Sequence, residues 1–233
     1  MKLGIIGAME VEVALLRQQM TNAVETEHAG SAFCEGVLEG VNCVVVRCGV
    51  GKVNAAVCTQ ILISVYGVTH IVNTGVAGSR SAELDIGDLV VSRDAMYHDF
   101  DCRGVGYPMG VVPGMRDAAF PADEALAQVA FAAAEAVNPG HTARGRVASG
   151  DQFVSEKGEK NRIIHLTGAL CTEMEGAAIA HTAFRNHVPF VILRAISDKA
   201  DDSAQMDYPT FETIAAHRCA AVTAQMARQL RQA

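Results

Sequence analysis

Short apolar runs that stop at glycine alternate along this chain with longer segments of helical spacing. Leu3 to Ile6 is apolar and ends at Gly7, and a periodic segment from about Met9 to Met20 follows, which predicts strand, turn and helix. Ala32 to Leu38 and Val41 to Arg47 flank Glu39-Gly40 as a hairpin. Gly49-Val50-Gly51-Lys52 opens a second helix that runs to about Tyr66, and His70 to Thr74 is a buried strand stopped by Gly75. Gly87 to Val91 begins another extended segment. Asp123 to Val137 is an alanine-rich helix closed by Asn138-Pro139-Gly140. Gly145 to Ser149 predicts a strand, a helix starts near Glu156, and Ala169 to Thr172 predicts a brief strand. Glu175 to Asn186 predicts a helix, Pro189 to Arg194 a strand, and Thr210 to Gln232 the closing helix.

Strands alternating with helices of this length imply one α/β domain: a central, twisted, mainly parallel sheet covered by helices on both faces, made mixed by the hairpin at Gly40. In such three-layer α/β/α folds small ligands bind beyond the carboxyl ends of the strands. The segments just past those ends are 7–12, 49–52, 74–78, 150–154, 172–175 and 194–198, and nearly every unusual residue of the chain falls among them. Glu175 and Asp198 adjoin very apolar sequence, where an unpaired carboxylate is costly and tends to be protonated. They are the first acid/base candidates. The plainer alternative is that Glu173 caps a helix, Glu175 pairs with Arg194 and Asp198 caps the next turn.

The stretch from His98 to Phe120 breaks the rhythm, with glycines, prolines and no clean period. A loop this long inside a compact domain is usually functional or part of an interface. Its Val105, Tyr107, Met109, Val111, Val112 and Met115 have no period that would bury them within the chain, so the 97–121 excursion is expected at a surface shared with a second copy.

Composition narrows the classes. Among 233 residues, half apolar, 26 acidic against 19 basic residues give a formal charge of -7 and no footprint for nucleic acid. Seven cysteines, an odd number without a C-x-x-C pair, predict free thiols in a reducing compartment, and the expected location is cytoplasmic. The start lacks the apolar core of a signal peptide, and no stretch approaches a membrane span.

Familiar site motifs fail in turn. Gly4-Ile5-Ile6-Gly7 lacks dinucleotide spacing and is followed by Glu10 and Glu12, and Gly49-Val50-Gly51-Lys52 is not a Walker sequence. His98, Asp99 and Asp101 form the only close His/Asp cluster, with no second histidine at ligand spacing, so no metal and no cofactor are expected. Acyl transfer has no G-x-S-x-G to support it.

Taken together, the post-strand segments resemble those of the 5′-methylthioadenosine/S-adenosylhomocysteine nucleosidases of the nucleoside phosphorylase superfamily. The likeness runs from Gly4-Ile-Ile-Gly-Ala-Met-Glu-Val-Glu12 through Val72-Asn-Thr-Gly-Val-Ala-Gly78, Tyr97-His-Asp99, Ser149-Gly-Asp-Gln-Phe153 and Glu173-Met-Glu-Gly176 to Arg194-Ala-Ile-Ser-Asp198. The resemblance implies a nucleoside phosphorylase-like fold and hydrolysis of an adenine nucleoside. Glu12 would activate the water that attacks C1′, and Asp198, oriented by Ser197, would protonate adenine at N7. Met174 and Glu175, beside Glu173, would hold the ribose, with Arg194 near water and sugar. Phe153 would stack on the base and backbone groups of Val154 would read its edge, although a lone Phe in so apolar a chain is otherwise a core residue. Met9, Val50, Val76, Ala77, Gly78 and Tyr208 would line the rest of the pocket. In a homodimer, Cys102, Val105 and Pro113 of the excursion would complete the neighbour's alkylthio pocket. Val76, Val105 and Tyr208 stand where some relatives carry serine, an aromatic and phenylalanine, which bears on substrate preference and leaves the Glu12/Asp198 pair intact.

The same fold admits a phosphorylase and a non-catalytic sensor of adenosine-like metabolites. Glu10 and Glu12 at the first strand end argue against the first, since they would repel phosphate. Retention of both an acid and a water base argues against the second.

Overall fold

In the computed structural model, residues 1–79, 81, 83–199 and 204–231 are described, with backbone only for 204–207. The chain forms one α/β domain around a ten-stranded mixed sheet. The strands are β1 (Leu3–Gly7), β2 (Thr21–His28), β3 (Ser31–Leu38), β4 (Val41–Arg47), β5 (His70–Ser79), β6 (Leu89–Tyr97), β7 (Ala119–Pro121), β8 (Thr142–Ser149), β9 (Cys171–Glu173) and β10 (Phe190–Asp198). The helices are α1 (Glu10–Gln19), α2 (Lys52–Ser64), α3 (Glu124–Val137), α4 (Lys157–Thr167), α5 (Gly176–Arg185) and α6 (Ala204–Leu230).

Parallel pairing of β4, β1, β5 and β10 forms the middle of the sheet, with the antiparallel β3 and β2 at one edge. On the other side β10 pairs with both β5 and β6, β6 with β8, β8 with β9, and β9 returns to β5. The sheet therefore curls into a ring of five strands, and the carboxyl ends of β5, β8, β9 and β10 face one another across it. One apolar cluster lies under α1, α3 and α6, the other under α2 and α5, which makes the three layers. No helix among the described residues is long and apolar enough to cross a membrane.

Several boundaries differ from those the sequence predicts. β5 does not stop at Gly75 but continues to Ser79, and β10 continues past Arg194 to Asp198, every one of its nine residues buried. Gly75 and the charged residues were expected to lie beyond strand ends. In the fold they are strand residues, because glycine makes room for neighbouring side chains and the charges find partners inside the ring. β2 carries no apolar alternation, seven of its eight residues being exposed, and it exists because the edge of β3 is open to pair with it. The last helix starts at Ala204 rather than Thr210, while Gln232 lies outside the described residues.

The excursion is held at both ends. His98 donates its N–H to the Ser149 carbonyl (2.9 Å), and β7 pairs back onto β6. Val111 is buried, and Val112 and Met115 pack against the chain's own core, contrary to the expectation that all the apolar side chains of this stretch need a partner. Val105 and Tyr107 remain exposed.

Candidate active site

Glu12 sits in the first turn of α1, where a glutamate three residues after the cap can reach back to free backbone donors. Its Oε2 accepts the N–H groups of Ala8 (2.7 Å) and Met9 (2.9 Å), and its Oε1 accepts that of Val76 on β5 (3.0 Å). Only 2% of the residue is exposed, and burial raises its pKa above the usual carboxylate value against the opposing pull of Arg194 and the three N–H groups. Gly75 permits this approach. A Cβ there would collide with both Glu12 Oε1 and Arg194 Nη1.

Arg194 is 1% exposed on β10, in register with Gly75. Its Nη2 donates to Asn73 Oδ1 and Glu173 Oε2 and lies 4.0 Å from Glu175 Oε2. Burial would lower its pKa, but Glu173, Glu12 and Glu175 together raise it above the ordinary arginine value. It is a fixed cation behind the pocket wall, not part of the lining. Glu173, expected among the ligand-binding groups, has both oxygens engaged by the protein. Oε1 accepts from Ser149 Oγ, and Oε2 accepts from Arg194 and from the N–H groups of Glu175 (3.0 Å) and Gly176 (2.7 Å), so Glu173 closes the N-terminus of α5.

Glu175 accepts the Gly51 N–H on Oε1 (2.8 Å). Burial and then the neighbouring Glu173 push its pKa up to about 8, against the pull of Arg194. On the facing wall a register shift at the end of β10 brings Ser197 and Asp198 to the pocket together. Ser197 Oγ lies 3.0 Å from Asp198 Oδ2 and 3.4 Å from the Ala77 carbonyl.

These groups enclose a cavity of about 220 Å³, lined by Met9, Glu12, Val50, Val76, Ala77, Gly78, Phe153, Val154, Glu173, Met174, Glu175, Ser197, Asp198 and Tyr208, together with Ala8, Gln152 and Thr172, which sequence reasoning did not single out. Phe153 is 49% exposed at the mouth, so it is not a core residue, and it meets Tyr208 edge to face at 5.5 Å. Tyr208 Oη reaches Glu212 Oε1 (2.6 Å) and Met9 Sδ (3.3 Å). Cys102, Val105 and Pro113 do not line this chain's own cavity. Glu10 does not either: it faces Arg17 (3.5 Å) and Arg47 (3.9 Å) at the surface, so the argument that it would repel phosphate does not hold. Asn73, Ser149 and the Gly51 N–H, which orient the charged groups, were also missed. Their only trace in the sequence is their place inside a post-strand segment, for Gly51, or immediately before one, for Asn73 and Ser149.

Four carboxylates thus line one small cavity, and no lysine or arginine does so among the described residues. Such a site favours a ligand that becomes positive during reaction, and its apolar mouth with one exposed aromatic suits a flat heterocycle.

Residues 2–228 match the model of the phosphorylase superfamily. A 5′-methylthioadenosine/S-adenosylhomocysteine nucleosidase from Exiguobacterium sp. strain AT1b is 39% identical over 234 residues, covering 100% of both chains. The crystal structure of the Neisseria meningitidis enzyme of the same name, in complex with methylthio-immucillin-A, superposes with a TM-score of 0.95 at 35% identity over 98% of this chain and 99% of that one. The futalosine hydrolase of Helicobacter pylori superposes with a TM-score of 0.93 at 32% identity, covering 98% and 97%.

Proposed function

This chain belongs to the 5′-methylthioadenosine/S-adenosylhomocysteine nucleosidases of the phosphorylase superfamily, and from that membership and its pocket we infer that it hydrolyses the N-glycosidic bond of these nucleosides, releasing adenine. The observation that carries the choice of water over phosphate is the lining itself. Glu12, Glu173, Glu175 and Asp198 surround the cavity, and among the described residues no lysine or arginine lines it to hold an anion there.

In this reading C1′–N9 cleavage leaves positive charge on the ribose and negative charge on adenine. Glu175, with Met174 beside it, holds the sugar, and the carboxylates stabilise the cation as it develops. Glu12 Oε1, oriented by Val76 N–H, takes a proton from the water that bonds to C1′. Asp198, steadied by Ser197, gives a proton to N7 of the departing base. The half-exposed Phe153 offers its ring to adenine, with Val154 at the base edge, and Met9, Val50 and Tyr208 surround the 5′-thioether. Arg194 acts from behind, holding Glu173 and moderating the mutual repulsion of the carboxylates.

A homodimer belongs to the same reading. Val105 and Tyr107 are exposed on the excursion, and α2 exposes Val53 and Val57 beside it, Lys52 at its start being paired with Asp99 at the excursion's base. Cys102, Val105 and Pro113 would then reach the neighbour's thioether pocket. A cytoplasmic setting is supported by seven free cysteines.

Adenine release from methylthioadenosine should proceed at the same rate with and without phosphate, giving free methylthioribose. A phosphate requirement, with sugar 1-phosphate as product, would overturn the hydrolase reading. Ranking kcat/KM for methylthioadenosine, S-adenosylhomocysteine, 5′-deoxyadenosine and a futalosine-type nucleoside fixes the preferred 5′ group.

A further inference from the structure

We propose that Asp151 is a positioning residue for the adenine end of the pocket: from the loop after β8 it caps the open N-terminus of α2 and thereby fixes the segment that carries Phe153. The inference rests on the reading of the cavity as an adenine nucleoside site.

α2 begins behind Gly51, which brings no side chain to satisfy the first N–H groups of the helix. Two carboxylates from elsewhere take that place. Gly51 N–H goes to Glu175 Oε1 (2.8 Å), and Lys52 N–H goes to Asp151 Oδ1 (2.9 Å). The start of α2 is therefore shared between the sugar-binding carboxylate and the loop bearing the aromatic ring. The approach is close: a Cβ at Gly51 would lie 3.2 Å from Asp151 Oδ1, and Gly51 has φ +100° besides. On its other side Asp151 N–H donates to Asp99 Oδ2 (3.0 Å), and the same oxygen receives Lys52 Nζ (2.5 Å). A side chain at Gly150 would strike the His98 ring, so this loop lies directly against the base of the excursion.

Burial cannot hold the segment, because Asp151, Gln152 and Phe153 are all exposed and the chain re-enters the core only at Val154. Backbone hydrogen bonds at Gly150 (N–H to the Glu173 carbonyl, 3.2 Å) and Gln152 (N–H to the Gly150 carbonyl, 2.8 Å) shape the turn. The two hydrogen bonds of Asp151, with a 3.6 Å ion pair from its Oδ2 to Lys52 Nζ, tie that turn to α2 and to Asp99. The Lys52–Asp99 pair (23% and 27% exposed) and the cap from the more exposed Asp151 (50%) are both screened by water, so neither holds the turn alone, and the cap is the contact that ties it directly to the backbone of α2. Asp151, Lys52 and Asp99 do not line the cavity, and their effect passes through position alone.

Two substitutions break the cap from opposite sides. Asp151→Ala removes the acceptor. Lys52→Pro removes the donor at the first helical position, where proline is well tolerated. Lys52→Ala, which loses the ammonium group but keeps the N–H, is its control and should bind adenine within about threefold of the parent. Steady-state kinetics with methylthioadenosine, calorimetric binding of adenine and thermal melts should be measured for both. Loss of uniform binding predicts that KM and the adenine Kd rise about tenfold with kcat within about threefold of the parent. Asp151→Asn keeps an acceptor for the Lys52 N–H and should stay within about threefold of the parent in all three constants. The proposal is overturned if D151A or K52P binds adenine like the parent, if kcat falls while KM holds, or if D151N is as impaired as D151A. It is overturned too if impaired binding appears only with loss of the cooperative melt. Should the parent release no adenine from methylthioadenosine, the functional reading fails, while the adenine affinities still decide the role of Asp151.

Discussion

Glu12 accepts three backbone N–H groups yet lies buried against Arg194, and these influences oppose: burial favours the neutral acid, while the donors and the guanidinium favour the anion. Burial prevails. In its role as water base Glu12 must be ionised, so the acid limb of kcat/KM should lie above the ordinary carboxylate value of 4.5. Glu12→Gln and Asp198→Asn should each lower kcat by about 10²-fold or more while retaining ligand binding. A rate within about threefold of the parent would remove that residue from its role. Glu175 makes a separate prediction. An unfolded chain releases its proton near 4.5 and the folded protein near 8, so between these values the folded state binds the extra proton and loses stability as pH rises, by at most about 1.4 kcal/mol per unit. Melting temperatures from pH 5 to 8 should fall for the parent and fall less steeply for Glu175→Gln, which keeps an acceptor for the Gly51 N–H; superimposable profiles would contradict the raised pKa. Glu175 and Asp198 stood out in the sequence because charge beside apolar runs is conspicuous, whereas Glu12 was marked as the proposed water base only by the family resemblance. The groups that aim these carboxylates did not stand out: a backbone N–H at Gly51 or Val76 leaves no mark in a sequence, and Asp151 looks like any loop aspartate.

At the level of elements, the continuous strands β5 and β10 are what bring Glu12, Arg194 and Asp198 to one place. Glycine at position 75 and charges at 194 and 198 suggest strand ends, because burial of such residues inside a sheet depends on partners from other elements that sequence alone does not pair. β2 escaped for the opposite reason, since a strand exposed at nearly every position has no apolar period to find. The continuity of β5 makes Gly75→Ala a sharp test. Its Cβ would press on Glu12 and the pinned Arg194, so the variant should lose about 1–3 kcal/mol in urea denaturation and most of its turnover. Gly158→Ala on α4, which meets no atom within 4 Å, should keep full turnover and at least the parent's stability. Equal behaviour of the two variants would mean that the convergence at Gly75 is not tight.

For the whole molecule, the alternation of strands and helices was enough to predict the layered sheet, whereas the curl that closes five strands into a ring depends on the β10 pairings at both its edges. The homodimer is tested at this scale. Light scattering at assay concentration should give twice the chain mass, and shortening residues 102–113 should weaken substrates with bulky thioether tails more than adenosine; a fully active monomer would refute it. The seven thiols add a practical dimension. Six are buried, and burial raises the pKa of Cys34, Cys43, Cys48, Cys58 and Cys219, holding these sulfurs in the unreactive protonated form. Cys102, in the excursion, is the partly exposed exception. The native chain thus comes with its own attachment point for a maleimide dye, placed where the second subunit is proposed to sit, and the rate at which that one sulfur takes up label on dilution reads out whether a neighbour is covering it.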